Sequence, residues 1–239
     1  MLLPLPSRAV PAVLVGAVVA LLAACGPSAA VGTAVPPASS ASHTSVPAAP
    51  PAAPATPSAP APEPVPNRES TLSIPSVGIA GLRVVPYEGT TDDVPGTRIQ
   101  DRGVAASPYG KGGGTGPGRV GNFLVTAHRL SAGGPLRDLP AVDEGDTVLV
   151  TSGGRTYTYE IVETRKTSFR SARSLSEQRA AVPGKPGTAP TQAMITISTC
   201  ATPEDHAEGN FWSDAQGNPE HRIDKIGVLR KTSGPAPAA

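Results

Sequence analysis

The chain has 239 residues, a formal net charge of +1, 29 prolines, 26 glycines and an aromatic content of only 3%. A charge this close to neutral removes the electrostatic case for nucleic-acid binding, and so few aromatics mean that any core must be built from Val, Ile, Leu and Ala. Much of the proline is clustered, so one folded domain behind a long unstructured arm is expected rather than two domains.

Arg8 is the only positive side chain ahead of an apolar run over residues 9–24, interrupted by Pro11 and Gly16. The run is shorter than the roughly 20 residues of a membrane-spanning helix and fits the apolar segment of a signal peptide. It closes with Leu22-Ala23-Ala24-Cys25, which resembles the bacterial lipobox, where the signal is cut before a cysteine that then carries lipid. Residues 1–25 are therefore expected to be a signal peptide with Cys25 as the lipidation site. An uncleaved anchor is the alternative, and either arrangement leaves the rest of the chain on the extracytoplasmic face of the cell membrane, facing the wall.

Residues 26–67 hold 12 prolines, no Phe, Trp or Tyr, and Glu63 as their only formal charge. Such a segment buries too little apolar surface to offset chain entropy, and its Pro clusters favour polyproline II. It is expected to be a disordered Pro/Ala-rich linker reaching about 130 Å when extended. The folded domain is placed at 68–232, with a disordered tail at 233–239.

Within the domain, residues 72–74 and 77–85 read as strand material around Pro75, and 122–128 as a strong strand. The segment 101–120 is Gly-rich and aperiodic, and is expected to be a loop. Strands at 147–151 and 155–164 flank Ser152-Gly153-Gly154, a hairpin signature. Further strands follow at 194–200 and 223–230. Short helices are expected at 135–142 and at 174–181, the latter from a capping-box pattern of Ser174 and Glu177. Many short strands with few helices point to a mostly β fold, a closed or nearly closed barrel.

Cys200 ends T-I-S-T-C, where a strand runs out beside loops. The lipobox pattern consumes the Cys25 thiol, which argues against a bridge between the two cysteines of the chain. A lone thiol in an exported domain is subject to oxidation, and a cysteine nucleophile needs a proton donor for the leaving amine and positive charge at the oxyanion. His43 lies in the arm; His128, His206 and His221 remain. Side chains alternate along a strand, so His221 and Arg222 face opposite sides and only one can point at Cys200. The pairing is then His128 with Arg222, or His221 with some other cation.

The stretch T-A-H-R-L-S-A-G-G-P-L-R-D-L-P, the motif T-I-S-T-C and the strand H-R-I-D-K-I-G-V-L, in that order, resemble the sortases, as does the opening L-S-I-P-S-V-G-I. The likeness covers residues 72–231 and is to actinobacterial sortases of class E or a related type. The resemblance implies a sortase-like closed β-barrel and a cysteine transpeptidase without metal or cofactor, in which Cys200 is the nucleophile, His128 its proton partner and Arg222 the oxyanion stabiliser. It implies a role for Thr199 in positioning substrate or oxyanion, while the long loop after Cys200 suggests that Phe211 and Trp212 border the groove. The implied partners are secreted proteins with a C-terminal L-P-x-T-G- or L-A-x-T-G-like sorting signal, and a cell-wall precursor amine.

Other readings fit less well. A metal set of Cys200, His206 and His221, with Asp205, has intervals of five and fourteen residues that match no common zinc pattern. L,D-transpeptidases place their cysteine in an S-H-G-C-like context that T-I-S-T-C lacks, and papain-like wall peptidases place Cys before His. A non-catalytic lipoprotein binding module on the same barrel is the alternative from a different functional class.

Overall fold

The strand segment Met194-Ile195-Thr196-Ile197-Ser198-Thr199-Cys200 shows how the chain is organised. Ile195 and Ile197 are fully buried in the barrel core, whereas Thr196, Ser198 and Cys200 face the other way. In the computed structural model, which describes residues 68–234, such segments form β1 (Ser70–Ile74), β2 (Ile79–Glu88), β3 (Ala105–Tyr109), β4 (Gly121–Thr126), β5 (Thr147–Ser152), β6 (Arg155–Ser168), β7 (Ala193–Cys200) and β8 (His221–Ser233). Three short helices join them: α1 (Val94–Gln100) between β2 and β3, α2 (Ala172–Arg179) between β6 and β7, and α3 (Thr202–Ala207) between β7 and β8.

The strands close into a barrel in the order β1-β2-β3-β4-β7-β8-β6-β5. The β2–β3 and β4–β7 pairs are parallel and the others antiparallel. Leu72, Ile74, Val84, Phe123, Val125, Val148, Val150, Tyr159, Ile161, Ile195 and Ile197 fill the interior. Each fully buried large apolar side chain contributes about 1.5–3 kcal/mol, so a core of aliphatic residues suffices despite the scarcity of aromatics.

Most expected strands are present, with the first broken by a 3-10 turn at Pro75–Val77 and a left-handed Gly78. Three expectations differ. The segment 101–120 is not simply a loop: β3 lies within it, although Ala-Ala-Ser-Pro-Tyr has little intrinsic strand preference. Neighbours on both sides make it a strand, since Val84 to Glu88 pair along it and Ala106 pairs with Thr126. At 135–142 there is only a 3-10 turn, Leu139–Ala141. Leu136, Leu139 and Val142 are fully buried at intervals of three, a period that suits 3-10 geometry better than an α-helix. Finally, the N-cap of α2 lies three residues before the expected one: Ser171 is the N-cap and accepts from the Ser174 amide, while the Ser174 hydroxyl accepts from the amide of Ser168. Helices α1 and α3 have no counterpart among the expected elements.

Among the described residues no helix is long and apolar enough to cross a membrane. Cys25 and the arm at 26–67 lie outside the described residues.

Candidate active site

Register alone brings three strand ends together. On β7, Cys200 lies opposite Arg222 of β8, and Ser198 lies opposite Asp224. On β4, Thr126 pairs with Ser198, and His128 is two residues further on, as Cys200 is on β7. Alternation therefore puts Thr126, His128, Ser198, Cys200, Arg222 and Asp224 on one face of the barrel wall, away from the core. The same alternation sends His221 to the other side, where its Nδ1 meets Asp205 Oδ1 at 2.8 Å and its amide donates to Asp205 Oδ2 at 3.0 Å. Of the two neighbours on β8 it is therefore Arg222, and not His221, that shares a face with Cys200.

Arg222 is 2% exposed and heavily bonded. Its Nε donates to Asp92 Oδ2 at 3.2 Å, its Nη2 lies 3.1 Å from Asp92 Oδ1 and donates to Asn218 Oδ1 at 2.8 Å, and its Nη1 donates to Cys200 Sγ. The guanidinium carbon sits 4.6 Å from the centroid of the Phe169 ring. Burial works against the charge, but the Asp92 carboxylate and the Cys200 sulfur outweigh it and hold the Arg222 pKa above its ordinary value. The thiol of Cys200 is free and part-exposed.

His128 is placed on the other side of the thiol. Interaction with the Cys200 sulfur is the largest influence on its ring; burial opposes it, and Asp101 reinforces it, so the imidazole pKa is raised. Asp101 Oδ1 lies 2.8 Å from Nε2 of His128. The protonated ring thus persists above the ordinary imidazole range, as a proton donor requires.

Behind the thiol lies a buried polar layer. Asp224 accepts from Thr167 Oγ1 at 2.6 Å and from Gln178 Nε2 at 3.0 Å, and Gln178 Nε2 also donates to Ser198 Oγ at 3.2 Å. These bonds clamp α2 onto the ends of β7 and β8. On the far side, Arg129 Nη1 donates to the Cys200 carbonyl at 3.4 Å and pairs with Glu204 of α3, fixing the backbone at the nucleophile.

The remaining expected site residues fall differently. Thr199 is 1% exposed and its hydroxyl donates to the Ala127 carbonyl at 2.9 Å, so it faces the opposite side of β7 from Cys200 and ties the strand carrying His128 to the strand carrying Cys200. Phe211 is exposed, with its ring 4.8 Å from that of His206; Trp212 is also exposed, with Arg170 lying 5.8 Å from its ring centroid. Because Phe169 stacks on Arg222 and Arg170 on Trp212, the tryptophan side of this pair is connected to the Arg222 end of the site. Among the described residues no three His, Cys, Asp or Glu side chains gather to hold a metal.

A model of the sortase domain matches residues 72–216, more than half of the chain. The chain belongs to the sortase family. The matched span includes His128 and Cys200 and stops short of Arg222, whose place in the site rests on the contacts above. Solved structures of similar fold include sortase E from Streptomyces avermitilis (24% identity, 70% of this chain and 91% of that one, TM-score 0.51). SrtA sortase from Actinomyces oris (19%, 70% and 82%, 0.53) and sortase E1 from Streptomyces coelicolor with a tripeptide in the active site (20%, 70% and 91%, 0.51) also share it. At these identities the likeness is one of fold, and class E sortases are among the structural neighbours of this sortase. No curated protein sequence matches.

Asp92, Asn218, Phe169 and Asp101 are the residues of the site that sequence reasoning missed. Asp92 and Arg222 are separated by 130 positions, and nothing local marks any of the four. The non-glycine left-handed turn at Asp92 is a backbone property that no periodicity reveals.

Proposed function

We propose that this sortase-type cysteine transpeptidase cuts a C-terminal sorting signal of the L-P-x-T-G or L-A-x-T-G kind and transfers the remaining protein to a cell-wall amine. The observation that carries this reading is the free thiol of Cys200, the only one among the described residues, set between an arginine Nη1 and a histidine ring whose protonated form is favoured.

The steps follow from the residues. The Cys200 sulfur, as thiolate, attacks the threonine carbonyl carbon of the signal, and the C=O electron pair moves onto oxygen. Nη1 of Arg222, already beside the sulfur, donates to that oxyanion. As the tetrahedral intermediate collapses, the Thr–Gly C–N bond breaks and His128 gives its proton to the departing glycine amine. A thioester on Cys200 remains. The acceptor amine then attacks it, passing a proton back to His128, and the thiolate leaves. Asp101 holds the ring in a proton-donating state during the first half.

In the same proposal the exported domain is anchored through lipid on Cys25, the 26–67 arm spans the distance to the wall, and Phe211 and Trp212 border the groove. The test is incubation of the purified protein with L-A-x-T-G and L-P-x-T-G peptides, followed by intact-protein mass spectrometry. An acyl adduct that appears on the wild type and is absent from Cys200→Ala is the expected result. Continued cleavage by Cys200→Ala would overturn the mechanism.

A further inference from the structure

We infer that Asp92 is a positioning residue for acyl transfer, holding the Arg222 guanidinium so that its Nη1 edge, and no other, meets the thiol and the oxyanion; this rests on the function proposed above. A guanidinium carries five N–H donors in a rigid plane. Here Nε–H donates to Asp92 Oδ2, Nη2 lies 3.1 Å from Asp92 Oδ1 in the ion pair, and Nη2 donates to Asn218. What remains is Nη1, with one hydrogen toward Cys200 Sγ and one uncommitted. The uncommitted donor is therefore beside the sulfur, where the oxyanion develops.

Little else around the guanidinium selects that edge. Phe169 lies 4.6 Å from its central carbon and offers no acceptor to any one edge. Asn218 offers one acceptor, bonded through Nη2. Only the two-oxygen fork of Asp92 distinguishes the Nε/Nη2 edge from the Nη1 edge. Asp92 also supplies the countercharge that a fully buried cation requires, both side chains of the pair being 3% exposed.

The support of Asp92 is itself elaborate. The residue has φ of +59°, a left-handed conformation that Asp tolerates better than most side chains but that persists only where its surroundings enforce it. The turn that carries it is fastened on three sides. Tyr87 Oη of β2 donates to the Thr90 carbonyl at 2.5 Å. Asp93, the N-cap of α1, accepts from the amides of Thr90 and Gly96 at 2.9 and 2.8 Å. Thr91 donates from Oγ1 to Gln178 Oε1 at 3.0 Å and accepts from Arg179 Nε at 2.9 Å, both on α2. Gln100 of α1 donates directly to Asp92 Oδ1 at 3.1 Å. Three elements thus converge on one turn, whose product is one carboxylate aimed at one guanidinium.

The test is Asp92→Asn, which suits the left-handed backbone and keeps the side-chain shape. With whichever peptide the wild type cleaves, kcat is expected to fall about 30- to 300-fold while KM stays within about threefold, because the donor is lost from the transition state and not from the bound substrate. When Arg222 is already Gln, adding Asp92→Asn is expected to change the rate of adduct formation less than about twofold, because residues acting as one unit are not additive. Wild-type kcat in a folded Asp92→Asn, a loss confined to KM, or the full loss repeated beside Arg222→Gln would each overturn the inference. Should Asp92→Asn fail to fold, Gln100→Met removes a donor to the same carboxylate. A drop in kcat of about 3- to 10-fold at constant KM is then expected, and an unchanged kcat counts against the idea. A peptide-independent measurement separates this inference from the proposed function. In 15N-arginine-labelled protein the Arg222 Nε–H signal should exchange slowly in the wild type and be lost or fast in Asp92→Asn. A wild type that cleaves neither peptide removes the sorting-signal reading, whereas a slow Nε–H that survives Asp92→Asn removes the role of Asp92.

Discussion

Arg222→Lys retains the positive charge and removes the fork, so it isolates what the guanidinium geometry contributes. In the structure Asp92 takes a hydrogen bond from Nε and lies within ion-pair distance of Nη2, Asn218 takes one from Nη2, and Cys200 takes one from Nη1. A lysine has a single nitrogen, and two places compete for it. Near the Nη2 position it satisfies Asp92 and Asn218 and abandons the sulfur. Near the sulfur it leaves a buried, unpaired Asp92 carboxylate, which costs about 3–5 kcal/mol. The first place wins, so the variant should fold with a loss of about 1–3 kcal/mol for the missing bond to Asp92, and the oxyanion should lose its donor. Removing one such donor typically costs about 2.7–4 kcal/mol in the transition state, a fall of roughly 100- to 1000-fold in kcat. Steady-state transpeptidation of a fluorescent sorting peptide, with melting curves on the same samples, reads both quantities. A folded Arg222→Lys with kcat within about tenfold of wild type would show that charge, not the fork, serves the oxyanion.

Two pH experiments probe the neighbouring groups. Interaction with the Cys200 sulfur raises the His128 pKa most, and Asp101 adds to it. Asp101→Asn should therefore move the basic limb of the kcat profile to lower pH. The shift also carries stability: a histidine raised on folding contributes below its unfolded pKa and loses that contribution as pH rises through the folded value, so the acid-side gain in melting temperature should shrink in the same variant. A basic limb that does not move refutes the role given to Asp101. Asp224 titrates high because burial dominates, with the bonds from Ser198, Thr167 and Gln178 opposing it. A carboxyl raised on folding likewise contributes stability in acid and loses it as pH rises through its folded pKa. The melting temperature of Asp224→Asn relative to wild type should therefore improve as pH rises above the ordinary carboxylate range, about pH 4; a difference flat in pH argues that the hydrogen bonds alone matter.

Much of this site is legible in the chain because strands have a period of two. Once residues around Cys200 and Arg222 are read as strands, parity alone forces His221 and Arg222 apart, and the structure shows Arg222 on the thiol and His221 on Asp205. The hairpin at Ser152–Arg155 and the alternation of Ile195 and Ile197 are equally local signals. Failures have an equally physical origin. β3 is a strand because its neighbours pair with it, and 135–142 is a 3-10 turn because its leucines and valine bury every third residue.

By itself, then, the amino-acid order determined a mostly β domain and a thiol, an imidazole and a guanidinium at strand ends, since backbone alternation and turn chemistry are properties of short segments. Only the tertiary structure decided how those groups are held. The turn at Asp92, the Asn218 amide and the Phe169 ring reach Arg222 from separate loops, and Thr199 turns its hydroxyl to Ala127, on the opposite side of β7 from Cys200. A buried guanidinium must find its countercharge wherever the folded chain brings one within about 3 Å, and sequence separation carries no information about that distance.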